Sequence, residues 1–133
     1  MKVLIFGLPN SGKTTLAKKL YEELKWSWFN ADEVRKQFND WDFSPEGRLR
    51  QALRMKKLCS QYKFSITDFV APTKEIRDIF NPDFTIWMNT TQESPYEDTN
   101  KVFEIPVLDE VDIIVSSFDY DLEKILNKIK GKI

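Results

Sequence analysis

Apolar residues come in short bursts along this chain, and amphipathic stretches separate the bursts. Val3 to Phe6 is an unbroken apolar run ending at Gly7, the pattern of a strand buried on both faces in a parallel sheet. From Thr14 to Lys25 the period changes. Leu16, Leu20 and Leu24 recur at helical spacing, with Lys18, Lys19, Glu22 and Glu23 around the rest of the turn, which predicts a helix with one buried stripe. Trp26–Phe29 reads as a short aromatic strand, and Ala31–Phe38 as a short helix entered at Asn30. Ser44, Pro45 and Glu46 have the order of an N-cap, a first helical position and an acidic first turn, so a helix is expected through the following "GRLRQALRMKKLC". Phe64–Val70 is the third expected strand. Thr73–Phe80 is a helix that stops before Pro82, and Phe84–Met88 a fourth strand. Residues 89–100 read as a polar loop, Val111–Val115 as a fifth strand and Leu122–Ile129 as a closing helix. Strands alternating with helices predict an α/β fold: five parallel strands flanked by helices in three layers, within one domain over residues 1–133.

Composition narrows the chemistry. Twenty basic residues nearly balance 21 acidic ones in a chain of 133, which gives no electrostatic footprint for a long nucleic acid or a membrane surface. No apolar run approaches the length of a membrane span. Cys59 is the single cysteine and histidine is absent, so an internal disulfide, a paired-cysteine metal site and imidazole catalysis are excluded. The expectation is a protein of a reducing compartment, the cytoplasm, that works through carboxylates, hydroxyls, lysines, arginines or a metal.

The strand at Val3–Phe6 runs into "GLPNSGKTT", from Gly7 to Thr15. Gly-x-x-x-x-Gly-Lys-Thr between a strand and a helix is the pattern of a phosphate-binding loop. Gly7 and Gly12 let the backbone curl so that the N–H groups of Pro9's neighbours Asn10 and Ser11, and of the residues up to Thr15, can face a β-phosphate. The positive end of the helix adds to that field. Lys13 reaches the β- and γ-phosphates, and the Thr14 hydroxyl binds Mg²⁺. At average composition a chance match occurs in about one chain in two hundred of this length. ATP and Mg²⁺ are therefore the expected cofactors.

Further segments follow in a telling order: "NADEVR" (Asn30–Arg35), "FSPEGR" (Phe43–Arg48), "ITDFVAP" (Ile66–Pro72) and "SPYED" (Ser94–Asp98). With the phosphate loop they resemble the adenylylsulfate kinases over roughly residues 1–100. That resemblance implies a P-loop kinase fold and transfer of the γ-phosphate of ATP to the 3′-hydroxyl of adenosine 5′-phosphosulfate. It implies that Asp32 orients the acceptor hydroxyl, takes its proton, or holds Mg²⁺ through water. By the same resemblance Arg35 and Arg48 grip the acceptor, Phe43 stacks on its adenine, and Val70 and Pro72 form the acceptor turn.

The chain also departs from the family. Gln51 stands in "RQALR" where an asparagine is usual, and is carried over as an acceptor residue. Asp68 stands where a serine is usual, and offers a second carboxylate for Mg²⁺. The long cationic lid after the fourth strand is missing, and every arginine lies at or before Arg77. A cation over the transferring phosphoryl group must then be a lysine, with Lys101 the candidate, or come from a second protomer of a homodimer. Residues 89–101 are expected to be mobile until ligands bind. Two other functions remain open: a kinase of another acceptor (nucleoside, nucleotide or polynucleotide 5′-end), and a nucleotide-binding module without turnover.

Overall fold

A computed structural model describes residues 1–133. Five strands form one sheet in the order β2-β3-β1-β4-β5: β1 (Lys2–Phe6), β2 (Ser27–Asn30), β3 (Ser65–Asp68), β4 (Phe84–Met88) and β5 (Ile113–Val115). All four pairings are parallel, with Leu4 beside Thr67 on one side and Thr85 on the other. Parallel neighbours need crossovers, and the helices supply them. The expected α/β architecture is present.

Alternation along β1 divides the core into two layers. Val3 and Ile5 face a cluster with Leu16, Leu20, Leu126 and Ile129 from helices α1 (Lys13–Leu24) and α6 (Leu122–Lys132). Leu4 and Phe6 face Val34, Met55, Ile76 and Phe80 from α2 (Ala31–Phe38), α3 (Pro45–Cys59) and α4 (Lys74–Phe80). Side chains of successive strand residues point to opposite faces, so one unbroken apolar run serves both layers.

The helix boundaries follow local chemistry. The Asn30, Ser44 and Thr73 side chains accept the amides of Glu33, Gly47 and Ile76, closing the starts of α2, α3 and α4. Asn39 and Asn81 end α2 and α4 in the left-handed conformation.

Three elements differ from the sequence expectation. β3 stops at Asp68, because the chain turns at Ala71 with φ 43° and leaves the sheet. β5 begins at Ile113, after a short 3₁₀ turn at Leu108–Glu110 and a brace in which the Asp112 carboxylate accepts the Thr85 amide at 2.8 Å. The segment expected as a polar loop folds into helix α5 (Glu97–Val102). Asn100 fixes its entrance: Oδ1 accepts the Ser94 amide and hydroxyl, each at 2.8 Å, and Nδ2 donates to the Ser94 carbonyl at 2.8 Å. One side chain satisfies the backbone that a polar loop would leave to water.

Arg77 anchors the next stretch. The buried guanidinium lies 4.7 Å from the Phe6 ring centroid and pairs with Glu110 at 2.5 Å. It also donates to the carbonyls of Ala71 and Glu104. The Glu104 amide in turn donates to the Pro72 carbonyl. The turn after β3 and the chain leaving α5 are thus fastened to the same residue.

Gly47 sets the entry to α3. A Cβ there would lie 2.2 Å from the Asp42 carbonyl oxygen, a backbone atom that cannot swing away. Gly47→Ala is expected to destabilise the protein by about 1–3 kcal/mol through overpacking, read by denaturant unfolding.

Candidate active site

The strand-to-helix loop from Gly7 to Thr14 lies at the C-terminal end of β1, where ligands bind in open parallel sheets. A Cβ at Gly7 would lie 2.7 Å from the Met88 carbonyl, so only glycine fits against β4. Gly12 caps α1 with φ 91°, and a Cβ there would lie 3.0 Å from the Phe118 ring. Ser11 is buried; its amide donates to the Leu8 carbonyl, and its own carbonyl accepts the Thr90 hydroxyl at 2.7 Å.

Lys13 is buried in this loop and its Nζ donates to the Leu8 carbonyl at 2.8 Å. Burial lowers its pKa to about 8, with Asp68 and Asp32 opposing the shift. The ammonium is the form that attracts phosphates, and it is lost as pH rises through that value. At pH 9 about a tenth of the unliganded molecules carry it, while nucleotide phosphates stay ionised, so affinity falls by about tenfold from pH 7. Calorimetric titration with nucleotide at the two pH values measures this.

Asp68, at the end of β3, is buried and fully engaged. Its Oδ1 accepts Trp28 Nε1 at 2.8 Å; its Oδ2 accepts Thr14 Oγ1 at 2.7 Å and Asn30 Nδ2 at 2.9 Å. Burial raises the Asp68 pKa, and these three donors with Lys13 pull it back down. The donor set is that of an ionised carboxylate. No three acidic or cysteine side chains converge on one point. A magnesium ion fits under one condition, that it takes most ligands from phosphates and water, as this ion ordinarily does. Thr14 Oγ1 and Asp68 are the oxygens available beside the loop, and Asp32 lines the same cleft.

The cleft has a volume of about 1220 Å³ and runs from the phosphate loop to the N-terminal ends of α2 and α3. Asp32 is exposed in the first turn of α2. Arg35, one turn on, is buried, and its guanidinium lies 4.2 Å from the Phe43 ring centroid. Its Nη1 donates to the carbonyls of Asp40 and Asp42. Arg48 donates from Nε to the Phe43 carbonyl at 2.8 Å and lies 5.7 Å from the same ring. Neither arginine has a carboxylate within ion-pair distance, in contrast to Arg50 and Arg54, which both bind Asp40. Burial lowers the pKa of Arg35 and Arg48, though an arginine remains charged. Carbonyls and the Thr99 hydroxyl hold the two guanidiniums, and Asp40 and Asp98 act on them only from beyond ion-pair distance.

Of the residues expected at the site, Pro9, Asn10, Gly12, Lys13, Thr14 and Thr15 line the phosphate-loop end of the cleft. Asp32, Arg35, Phe43, Arg48, Gln51, Asp68, Val70 and Pro72 line the rest. Gly7 and Ser11 lie beneath the loop, buried. Gln51 also has structural bonds, donating to the Ala31 carbonyl and accepting from Arg54. Lys101 is exposed in the last turn of α5 and does not line the cleft. The part of residues 89–101 that does so is Pro95–Thr99, which carries Glu97 and Asp98 in place of a cation. Trp28, Asn30, Trp41 and Phe118 were not legible as site residues. Asn30 carries a sequence signal as a helix cap and as the first residue of "NADEVR", and Phe118 none, since its place beside Gly12 depends on the sheet order.

Residues 1–100 match the sequence model of the adenylylsulphate kinases. The chain belongs to that family. The structure of the Mycobacterium tuberculosis APS kinase in complex with AMPPNP and APS superimposes with a TM-score of 0.70 at 16% identity, covering 98% of this chain and 95% of that one. A Sinorhizobium meliloti gluconokinase gives 0.68 at 13% identity, with 98% and 90% covered. An Aquifex aeolicus shikimate kinase gives 0.61 at 18%, with 98% and 97% covered. No curated protein matches the sequence. At these identities the structures speak for the fold, and they span kinases of different acceptors. For this member of the adenylylsulphate kinase family, a kinase fold and nucleotide use follow from the family match; the acceptor has to be argued from the cleft.

Proposed function

We propose that the protein transfers the γ-phosphoryl group of ATP to a small hydroxyl acceptor carrying an anionic group, and that this acceptor is adenosine 5′-phosphosulfate, phosphorylated on its 3′-hydroxyl. One observation carries the reading: a single cleft joins the phosphate loop of Lys13 and Thr14 to Asp32 and to two arginines without carboxylate partners. The match of residues 1–100 to the adenylylsulphate kinase model supports the choice of acceptor.

Phosphoryl transfer asks for alignment and for charge neutralisation. Lys13 and the loop amides stabilise charge on the transferring group. Thr14 and Asp68 would hold magnesium beside the loop, where it would supply further positive charge to the phosphates. Arg35 and Arg48 hold the acceptor's anion, and Phe43 and Trp41 offer flat faces to its base. Asp32 orients the acceptor hydroxyl and receives its proton as the bond from that oxygen to phosphorus forms and the β–γ bridging bond breaks. Neither a second protomer nor Lys101 enters this scheme.

Glu97 and Asp98 favour a second reading, a kinase of a less anionic acceptor, because they place negative charge in the half of the cleft that holds the arginines. An ADP-release assay separates the two. Magnesium ATP with adenosine 5′-phosphosulfate should give acceptor-dependent ADP. Release seen only with gluconate, shikimate or a nucleoside would replace the acceptor and keep the kinase. ADP release with none of them, alongside tight nucleotide binding, would leave a nucleotide-binding module.

A further inference from the structure

Asn30 is the last residue of β2 and the first cap of α2, and its side-chain amide is used at both ends. Its Oδ1 accepts the Glu33 amide at 3.0 Å, closing the first turn of the helix that carries Asp32 and Arg35. Its Nδ2 donates to Asp68 Oδ2 at 2.9 Å and lies 3.2 Å from Thr14 Oγ1. Those two oxygens are themselves bonded at 2.7 Å. Trp28 takes Asp68 Oδ1 from the same strand, which leaves Oδ2 facing Thr14 and Asn30. One planar amide therefore spans the donor end of the cleft and the start of the acceptor helix.

A primary amide is suited to this post. It offers an acceptor and a donor on one rigid plane, so its two partners cannot move independently. Serine, threonine or aspartate would cap α2 equally well. None of them presents an N–H to Asp68 and Thr14 while accepting from Glu33. Helix capping alone does not account for an amide here.

We infer that Asn30 is a positioning residue that ties the start of α2 to the phosphate loop, so that magnesium nucleotide bound at Thr14 and Asp68 steadies Asp32 and Arg35 for the acceptor. This rests on the reading of the cleft as a nucleotide site. Nucleotide held at the loop restrains Thr14 further, and Asn30, bonded to both Thr14 and Asp68, passes that restraint to the Glu33 amide and the turn above it. The effect appears before any acceptor is present.

The test measures hydrogen exchange of the wild-type protein at the amides of Glu33 and Val34, with and without magnesium AMPPNP, after calorimetry has confirmed that the ligand binds. Exchange should slow by about fivefold in the wild type. Asn30→Ser keeps a cap and removes the amide. At magnesium AMPPNP concentrations that calorimetry shows to saturate the variant, it should show less than about a twofold change at Glu33. Asn30→Thr is the second variant if serine unsettles the strand end, with the same expectation. Binding without any change of exchange at Glu33 in the wild type would overturn the inference, and so would the full slowing in either variant. Failure of magnesium AMPPNP to bind the wild type would overturn the nucleotide reading and this inference together.

Discussion

Replacing Lys13 by alanine lowers nucleotide affinity or turnover by at least about tenfold, equivalent to about 1.4 kcal/mol. The ammonium lies buried within the phosphate loop, with the Leu8 carbonyl as its hydrogen-bond partner. A single bond to a carbonyl uses one of its three protons, and the other two remain for phosphate oxygens. Alanine leaves the turn intact, because Gly7 and Gly12 set its path against Met88 and Phe118. It also relieves the burial of a charge, so stability should hold or rise. Calorimetry with magnesium AMPPNP and a melting curve together make the check: unchanged affinity in a folded variant refutes the phosphate-loop assignment.

Asp32→Asn should act on a different constant. The residue is exposed in the cleft, and its backbone belongs to a helix already capped by Asn30. Asparagine keeps the size and loses both the charge and the ability to take a proton. The turnover number with the true acceptor should fall by about a hundredfold or more, while the affinity for magnesium AMPPNP changes little. Near-normal turnover in this variant would make Asp32 a helix-dipole residue, with Asp68 the next carboxylate to examine. The pair of substitutions separates donor binding from chemistry, as Lys13 and Asp32 lie at different stations of one cleft.

The fold was legible because periodicity and capping agree in this chain. Val3–Phe6 gave the central strand, and Ser44-Pro45-Glu46 marked the start of α3 where the structure has it. The phosphate loop was legible because its chemistry is local and contiguous. Helix α5 was not, since its entrance depends on Asn100 reaching back to Ser94, and polar residues with that capacity look like loop residues. The early end of β3 was hidden for a related reason: Val70 is apolar and extends the pattern, but Ala71 is held by Arg77 from the following helix. Asp68 could be named as a carboxylate of interest. Its partners could not, because Trp28 and Asn30 meet it only after β2 pairs with β3.

The stretch between β4 and β5 is where the wall of the cleft opposite the phosphate loop is fastened. Ser94 is pinned by Asn100, Thr99 meets Arg48 at 3.4 Å, and Arg77 holds the carbonyl of Glu104. A wall held by its own side chains has less order to gain when a ligand arrives than an unstructured loop would. If that wall keeps its place with ligands bound, the contest between acceptor and water would be decided by how fully the cleft is occupied.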